Sequence, residues 1–502
     1  MKSLYNDAEA KKYKIDLDLR VYTSRLLGAD TSLVLHGGGN TSVKSTATDS
    51  CGDVVDVLLV KGSGWDLETI KAEGFASVRM DALLKMAELK ELSDKDMVKG
   101  QRAAMIDQSA PNPSVEAILH AIIPFKFVDH THADAVVTIT NTQNGEEKIK
   151  ELFGEKVLII PYIMPGFVLA KLVYEMTRDV DWNSLEGIVL MNHGLFTFSD
   201  DAKISYEKTI ELVDMAENYL FKRGAVLDIQ NQSTTADLLE LAKIRKEVSL
   251  IKESSIISVL NDSKEAIYFS KQNIEKIAIK GPLTPDHVIR TKRVPVILTD
   301  EFEKELQNFV EDYKQYFLEN KKDEILLNPA PNFAILKGKG SLSFGKNAKE
   351  ANIIKDINNH SFEAILKAEK LGGYKALGQK EIFEVEYWSL EQAKLKKSSD
   401  ELEYGGKIVI IVDAVDEKAR EKAFELSKKG AVVIAIDTNC EVEKIFSTGD
   451  IIGVKCDTDS DEDIKSLISF VVKSFGGIDM LIADKLQYKK LAEECTPFLE
   501  LS

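Results

Sequence analysis

Cysteine is scarce in this sequence, with four residues among 502, and no two of them form a C-x-x-C pair. This scarcity argues against a disulfide-stapled fold and against a cysteine zinc site. Long apolar runs are also missing, because no stretch approaches the roughly 18 apolar residues of a membrane-spanning helix. The first residues lack the apolar core of a signal peptide. We therefore expect a soluble, cytoplasmic protein without a membrane partner.

Positive charge is in short supply as well. The 65 Lys and Arg residues stand against 82 Asp and Glu, which gives a formal net charge of −17 at pH 7. A chain this acidic has no general attraction to nucleic acid or to an anionic membrane, although a local basic site can still bind a phosphate. Hydrophobic residues make up 44% of the chain, with 29 Gly and 11 Pro. This ordinary composition excludes a disordered or collagen-like chain.

Three regions of different character fit the length, which predicts about three domains. Residues 1–235 alternate apolar strands with helices, residues 236–400 are mostly helical and rich in lysine, and residues 401–502 alternate strands and helices. We predict an α/β fold throughout, with a mixed helical and strand region in the middle. At the C-terminal end the pattern predicts a partial, Rossmann-like parallel sheet.

Residue patterns place the individual elements, because β-branched apolar runs favour strands and a 3.6-residue period favours helices. In the first region we expect strands at 54–60, 127–140, 156–162 and 187–193, and a helix at 200–224. In the last region we expect strands at 407–412, 431–437, 451–457 and 477–484, and helices at 416–430 and 462–475.

A weak internal repeat links the first two regions. GLFTFSDDAK (194–203) and GSLSFGKNAK (340–349) share Gly, Phe, Ala and Lys at an offset of 146 residues. Lys339 stands where the first copy has His193. A duplicated half that lost a histidine explains the match, and so does a shared strand–turn–helix arrangement reached independently.

Histidine is concentrated in one part of the chain. His130 and His132 lie in a predicted strand, where residues i and i+2 point to one face, so both imidazoles can reach one metal ion. His193, at the end of another predicted strand, is the candidate third ligand of a catalytic site with an open position. The alternative is a pair of half-exposed strand histidines that bind no metal.

Glycine-rich segments form two candidate anion sites. His36-Gly-Gly-Gly-Asn40-Thr-Ser42 and Lys61-Gly-Ser63-Gly64 can present backbone N–H groups and hydroxyls to a phosphate, together with Ser114. The first segment lacks the Gly-Lys-Ser/Thr ending of a P-loop, so a nucleotide triphosphate is not implied. Alternatively, each segment is simply a turn.

Glu116 is a candidate general base. It opens a predicted helix 14 residues before His130, and a carboxylate beside a divalent cation can abstract a proton next to a carbonyl. The alternative is a first-turn Glu favoured by the helix dipole. His120, one turn later, can orient Glu116, whereas His287 and His360 are expected to be surface residues.

Several motifs together resemble a known family. They are HGGGNTSVK (36–44), VKGSGWDL (60–67), PSVEAILHAIIPFKFVDHTHADAV (113–136), MNHGLF (191–196), GPLTPDHVIRTK (281–292), LGGYKAL (371–377) and FEVEYWSLEQAKLKK (383–397). The series resembles the class II aldolase/adducin family, and within it the bifunctional rhamnulose-1-phosphate aldolase/alcohol dehydrogenases. It covers nearly the whole chain in one order.

The resemblance implies a class II aldolase-type α/β/α domain and a metal-dependent lyase acting on a phosphorylated ketose. It implies zinc or a similar divalent ion on His130, His132 and His193, with Glu116 as the acid/base carboxylate. It also implies a homo-oligomer, a tetramer in the family, and a sugar-phosphate site, which would be formed by Asn40, Ser63, Gly64 and Ser114. Family aldolases take a proton-donating tyrosine from a neighbouring subunit, and no motif places that tyrosine here. Epimerase, decarboxylase and non-enzymatic adducin-like scaffold functions therefore stay open.

The C-terminal region resembles the start of a short-chain dehydrogenase but departs from that family's pattern. The phosphate-binding turn Thr-Gly-x-x-x-Gly-x-Gly is replaced by Asp413-Ala-Val-Asp416-Glu417, which has no glycine and three carboxylates. Asp437 marks the ribose position, but no Tyr-x-x-x-Lys pair follows residue 406, where Tyr488 is the only tyrosine. The chain stops at Ser502, before the second half of such a sheet. We therefore expect a degenerate, truncated dehydrogenase domain that binds no NAD(P) and has no oxidoreductase activity.

Overall fold

A computed structural model describes residues 1–396, 402–447 and 451–483. The chain divides into two compact units, each made of separate segments. Unit 1 comprises Met1–Asp228, Ile277–Ile289 and His360–Lys397, and unit 2 comprises Ile229–Lys276, Arg290–Asn359 and Ser398–Ser502. The three-domain division of the sequence stays a prediction, and its boundary at residues 400 and 401 lies outside the described residues.

Unit 1 is built on a seven-stranded sheet. Its strands are β1 (Asn40–Thr48), β2 (Val54–Lys61), β3 (Phe75–Arg79), β4 (Phe127–Thr131), β5 (Val157–Ile160), β6 (Gly187–Leu190) and β7 (Gly194–Ser199). Its helices up to residue 228 are α1 (Asp7–Ala10), α2 (Asp16–Gly28), α3 (Met80–Glu88), α4 (Asp94–Ala103), α5 (Ala117–Ile122), α6 (Asp134–Thr140), α7 (Gly145–Phe153), α8 (Phe167–Met176) and α9 (Ala202–Lys222). Short 3₁₀ turns lie at Ala72–Gly74, Gly154–Lys156 and Trp182–Ser184.

The strand order is β3-β2-β1-β4-β7-β6-β5, and every neighbouring pair is antiparallel except β5 with β6. Side chains alternate between the faces of the sheet. Val189 and Leu195 pack in a core with α6 and α9, whereas Leu190 and Phe196 pack in a second core with α5 and α8. Helices therefore cover both faces, and the predicted α/β/α class is confirmed.

The predicted strand at 127–140 is wrong in its second half. The strand ends at Thr131, and Asp134–Thr140 forms helix α6. Ala135–Thr140 are all buried, so the helix has no exposed polar face. A short buried helix and a buried strand give the same continuous apolar run, which periodicity cannot separate.

The middle of the chain adds eight helices and four strands. The helices are α10 (Leu238–Lys252), α11 (Lys264–Ser270), α12 (Ile274–Ile277), α13 (Val288–Thr291), α14 (Phe302–Asn320), α15 (Ala348–Lys370), α16 (Gln379–Glu386) and α17 (Ser389–Lys396), with a 3₁₀ turn at Pro285–His287. The strands are β8 (Ile257–Asn261), β9 (Val296–Leu298), β10 (Phe333–Leu336) and β11 (Gly340–Gly345).

The sheet of these four strands repeats part of the first sheet. Its order is β8-β11-β10-β9, with two antiparallel pairs followed by a parallel pair, as in β4-β7-β6-β5. Leu336 pairs with Gly340, just as Leu190 pairs with Gly194. The match in strand order and pairing therefore extends well beyond the ten residues of the sequence repeat.

The last region forms a parallel sheet, which confirms that prediction. The strands are β12 (Ile408–Ile411), β13 (Val432–Asp437), β14 (Ile451–Lys455) and β15 (Met480–Ile482), in the order β14-β13-β12-β15. The helices are α18 (Glu417–Lys428), α19 (Glu441–Ile445) and α20 (Asp461–Phe475). Within unit 2, Ile257 and Val259 of β8 share a core with Ile410, Ile434 and Val471.

None of the helices in the described parts of the chain is both long and apolar enough to cross a membrane.

Candidate metal centre

Three predicted ligands lie together in unit 1. Nε2 of His132 is 3.2 Å from Nε2 of His130. The ring centroids of His130, His132 and His193 are 5.0–5.2 Å apart in all three pairs. One ligand atom from each histidine lies within 4.8 Å of the others. The three imidazoles therefore surround one point.

Strand pairing positions His130. In β4 it is paired with Phe196 of β7, and its ring stacks on that phenyl ring at 4.1 Å between centroids. Its Nδ1 lies 3.1 Å from the carbonyl oxygen of Leu195, which accepts a hydrogen bond from it. Nε2 is thereby left for the centre of the triangle. The ring is fully buried.

His132 and His193 are positioned by turns rather than by strands. His132 follows the end of β4, so the prediction that it lies inside a strand is wrong. His193 lies in the turn between β6 and β7, where Asn192 adopts a left-handed φ of 58°. A Cβ on Gly194 would lie 2.3 Å from the carbonyl oxygen of Thr131 and 3.0 Å from the His130 ring. Glycine is therefore required for this close approach.

The imidazoles are suited to bind a cation. Burial lowers the pKa of His132 to about 3, and burial together with the neighbouring His193 lowers the pKa of His130 well below its ordinary value. Both rings are thus neutral at neutral pH, as metal ligation requires. Two nitrogens on a tetrahedral zinc ion lie about 3.3 Å apart, close to the 3.2 Å between His130 and His132. The donor set fits a divalent ion.

Glu116 lies beside the three histidines. Its Oε2 is 3.6 Å from Nε2 of His130, and its Oε1 is 3.7 Å from Nε2 of His193. It stands at the N-cap position of α5, where its side chain makes no capping hydrogen bond, and it is 6% exposed. Its Oε1 is buried and has no hydrogen-bond partner among the described residues. This carboxylate oxygen is therefore available to a ligand at the centre.

Asn40 links Glu116 to His120. Asn40 Nδ2 donates to Glu116 Oε2 at 2.6 Å, and Asn40 Oδ1 accepts from Nε2 of His120. Because an amide oxygen only accepts, the His120 proton is on Nε2, and Nδ1 accepts from the Ser42 hydroxyl at 2.8 Å. Burial lowers the pKa of His120 to about 3, which keeps this ring neutral. His120 therefore acts on Glu116 through Asn40.

The predicted glycine-rich loop is shorter than expected. Asn40, Thr41 and Ser42 belong to β1, so the loop ends at Gly39. A Cβ on Gly39, whose φ is 59°, would lie 2.6 Å from the carbonyl oxygen of His130. This glycine serves the packing of the loop against β4.

The other two predicted phosphate segments lie side by side. Gly62 pairs with Pro113 in an antiparallel bridge, and Ser114 N donates to Lys61 O at 3.0 Å. The Ser63 hydroxyl donates to Pro113 O at 3.4 Å. The structure thus brings Ser63, Gly64 and Ser114 into one neighbourhood, while the Asn40 side chain contacts Glu116.

Lys61 fastens the first loop to this neighbourhood. Its Nζ donates to the carbonyl oxygens of Gly37 and Gly39 at 3.0 and 2.9 Å. Burial lowers the pKa of Lys61 to about 8. No sequence pattern marks Lys61 as a site residue, although it opens one of the glycine motifs. Its buried ammonium group adds positive charge beside the candidate phosphate loops.

Asp286 is a second residue that sequence reasoning missed. Its Oδ1 lies 3.5 Å from Nδ1 of His132. Burial alone would raise the pKa of Asp286, but the neighbouring His132 and His287 and the charge of Lys394 together lower it. No spacing rule could find it, because 154 residues separate it from His132.

Lys394 of α17 lies in the same unit, and its side chain is 35% exposed. Its Nζ lies 2.5 Å from Oε1 of Glu391. Burial alone would lower the pKa of Lys394, but the carboxylates of Glu391, Asp286 and Glu116 raise it. Lys394 stays protonated and contributes to the field around the centre.

The expectation of surface positions for His287 and His360 is wrong. His287 is 9% exposed, and the half-buried His360 forms an ion pair with Asp134 at 2.5 Å. Both rings line a small polar cavity that also contacts His132 and Asp134. The polar neighbours of both histidines in the sequence suggested exposure. In the structure, both histidines instead pack near His132 and Asp134.

The turn between β12 and α18 is filled by its own carboxylates. Asp416 caps α18 by accepting from the N–H groups of Lys418 and Ala419 at 2.9 and 3.4 Å. Asp437 Oδ2 accepts from Val415 N at 3.0 Å. Asp413 adopts a φ of 53°. Tyr488, the tyrosine considered in connection with the missing Tyr-x-x-x-Lys pair, lies outside the described residues.

Comparison with known proteins identifies the family. Residues 19–220 match the family described as class II aldolase and adducin N-terminal domain. Residues 235–395 match the family described as aldolase class II, second domain. The chain therefore belongs to the class II aldolase and adducin family, as the sequence motifs indicated.

Individual relatives were also found. The uncharacterized oxidoreductase YuxG of Bacillus subtilis is 29% identical over 516 residues, covering 96% of this chain and 74% of that protein. The N-terminal class II aldolase domain of a Thermoplasma acidophilum protein is 44% identical, covers 44% of this chain and 99% of its own, and has a TM-score of 0.41. An L-fuculose-1-phosphate aldolase from Thermus thermophilus is 18% identical. The match covers 41% of this chain and 94% of the aldolase chain, with a TM-score of 0.27.

Proposed function

We propose that this protein is a divalent-metal-dependent aldolase-type lyase that cleaves a phosphorylated ketose resembling rhamnulose-1-phosphate. One observation carries the proposal: Glu116 lies 3.6–3.7 Å from the Nε2 atoms of His130 and His193, beside the triangle of three histidines. A neutral His₃ site with an adjacent carboxylate is suited to proton transfer next to a polarised carbonyl. Zinc is the proposed ion.

The reaction breaks the bond between C3 and C4 of the ketose. A base removes the proton of the C4 hydroxyl, C4 becomes an aldehyde, and the electron pair that remains on C3 is later protonated. When bound, a divalent ion supplies Lewis acidity that stabilises negative charge on the carbonyl and neighbouring hydroxyl oxygens.

Glu116 is the proposed proton-transfer group, with Oε1 as the atom that holds the proton. That oxygen is buried and unpartnered among the described residues, whereas Oε2 is occupied by Asn40. The hydrogen bond from Asn40 fixes the carboxylate, and His120 fixes the Asn40 amide. A base held in this way needs little reorganisation before it acts.

The substrate phosphate would bind near Ser63, Gly64 and Ser114, with Asn40 at the border between this site and Glu116. The adjacency of the loops supports this placement. The buried Lys61 adds positive charge there. A strong anion would complete the charge balance of this region.

The C-terminal domain is the proposed remnant of a short-chain dehydrogenase, without NAD(P) binding or oxidoreductase activity. Its parallel sheet supports the Rossmann-like origin. The carboxylate of Asp416 takes the N–H groups of α18 that a pyrophosphate would need. The carboxylate of Asp437 accepts a hydrogen bond from the backbone N–H of Val415, in the place where the dehydrogenase family would bind a ribose. The proposal also includes a cytoplasmic location. By family resemblance it further includes a homotetramer, and light scattering on the purified protein would measure the mass of that assembly.

Two measurements on the purified protein test the proposal. Elemental analysis should find one divalent ion per chain, and a panel of ketose-1-phosphates should include one that yields an aldehyde and a triose phosphate. Bound metal without cleavage of any ketose phosphate would instead favour an epimerase or a decarboxylase. A protein with neither metal nor cleavage would favour a non-enzymatic scaffold.

A further inference from the structure

The two ring nitrogens of His132 face different partners. Nε2 lies 3.2 Å from Nε2 of His130 at the proposed metal position, and Nδ1 lies 3.5 Å from Oδ1 of Asp286. The side chain of His132 is 11% exposed, so water has little access to it. A neutral imidazole that ligates through Nε2 carries its proton on Nδ1 and needs an acceptor there.

His130 shows how this fold supplies such an acceptor. The carbonyl oxygen of Leu195 lies 3.1 Å from His130 Nδ1. Ligating histidines almost always donate their other N–H to a carbonyl or carboxylate, which fixes the tautomer and the ring orientation. For His132, the group in the corresponding place is the carboxylate of Asp286.

Asp286 is firmly held in that place. It lies in the 3₁₀ turn Pro285–His287, and the helix that follows packs Val288 and Ile289 against Ile382 and Val385 of α16. Although the side chain is 27% exposed, its Oδ1 is shielded from solvent. A shielded carboxylate oxygen without a donor is costly, and a small approach of the Nδ1 proton of His132 would satisfy it.

We infer that Asp286 is a positioning residue of the metal centre, whose carboxylate accepts the Nδ1 proton of His132 and holds Nε2 toward the ion. The inference rests on the metal site proposed above. Asp286 belongs to the segment Ile277–Ile289, which groups with residues 1–228 in unit 1. It lies in the range matched by the second family domain. That domain therefore completes a site that the first domain begins.

Metal affinity tests the inference independently of enzyme activity. The dissociation constants of Zn²⁺ and Co²⁺ are measured on the full chain by competition with a chromophoric chelator. Asp286→Asn keeps the shape of the side chain and removes its charge, and it should raise the dissociation constant about 10–100-fold. The melting temperature of the metal-free protein should stay unchanged.

Asp134→Asn is the matched control. Asp134 is two residues from His132, lines the same cavity, and pairs with His360 rather than with a ligand. Losing its charge should leave the metal dissociation constant nearly unchanged. Equal weakening by both variants would show a general charge effect and overturn the inference, as would unchanged affinity in Asp286→Asn.

If metal-free Asp286→Asn melts at a lower temperature, Asp286→Glu decides between folding and positioning. That variant keeps a carboxylate and should recover affinity toward the wild-type value, and a failure to recover would overturn the inference. A wild-type protein that binds no metal would refute the proposed metal site itself, an outcome distinct from a metal-binding protein that is indifferent to Asp286.

Discussion

Asn40 donates a hydrogen bond from Nδ2 to Oε2 of Glu116 at 2.6 Å. The two residues are 76 positions apart, on β1 and before α5. This bond fixes the carboxylate beside the histidines, with Oε2 3.6 Å from Nε2 of His130 and Oε1 3.7 Å from Nε2 of His193. It also gives Asn40 a role different from the phosphate contact that the family resemblance implies.

Replacing Asn40 separates these two roles. If Asn40 mainly orients Glu116, Asn40→Ala should lower kcat about tenfold, the effect of losing one or two hydrogen bonds, with a small change in KM. If Asn40 mainly contacts phosphate, KM should rise instead. Steady-state kinetics on the ketose phosphate measures both constants. Ser114→Ala is the comparison, since it should change KM and leave kcat near the wild-type value.

Replacing Glu116 by Gln should leave the metal content unchanged and reduce turnover roughly 10²–10⁴-fold, the usual contribution of general acid–base catalysis. The amide keeps the shape of the side chain but cannot take a proton. Glu88→Gln, at an exposed position of α3, is the control and should retain full activity. An unchanged rate in Glu116→Gln would make this residue structural.

Replacing His132 by Ala should abolish stoichiometric metal, because two imidazoles hold a divalent ion much more weakly than three. Elemental analysis after gel filtration measures the content. His36→Ala, outside the triangle, should keep one ion per chain. Full retention of metal by His132→Ala would remove this site from consideration.

Lys44 gives a pH-dependent prediction. Its Nζ donates to the carbonyl oxygens of Ile123 and Phe125 at 2.5 and 2.6 Å, just beyond α5. Burial lowers the pKa of Lys44 from 10.5 to about 7, so the folded state binds fewer protons than the unfolded state between these values. Stability contributed by this residue therefore rises with pH over that range, by at most about 1.4 kcal/mol per pH unit.

Melting temperatures of the wild type and of Lys44→Met, measured from pH 7 to pH 10, test this sign. The melting temperature of the wild type should rise relative to that of the variant as pH rises, because the variant has no titrating group at this position. A constant difference, or a difference that shrinks with pH, would contradict the prediction.

The C-terminal domain should not bind NADH or NADPH. The N–H groups at the start of α18 are taken by Asp416, and three carboxylates repel a pyrophosphate. Calorimetric titration on the full chain measures binding, and a dissociation constant in the low micromolar range would show that the turn is misjudged.

Deleting residues 401–502 should reduce solubility. Ile257 and Val259 of β8 share a core with strands of this domain, and the deletion would expose them. A truncated protein with unchanged solubility, oligomeric state and metal content would argue against this packing role.

The sequence by itself determined those features that depend on local residue patterns, namely secondary-structure elements and closely spaced ligands. Alternating apolar strands and helices were sufficient for the parallel C-terminal sheet, because each element there carries its own period and turn residues. The histidines at 130, 132 and 193 were recognisable as a set, since a two-residue spacing and a glycine after a strand are local features. The repeat between 194–203 and 340–349 was visible, although its extent was not.

Only the tertiary structure decided which distant groups meet. The 134–140 helix resembles a strand in sequence, and burial on most sides removes the period that would tell them apart. Asp286 reaches His132 across 154 residues, and Asn40 reaches Glu116 across 76. Such contacts depend on strand order and on how the segments fold back, which no spacing along the chain encodes. The ligands of the candidate site were therefore recognisable locally, whereas the groups that orient them required the fold.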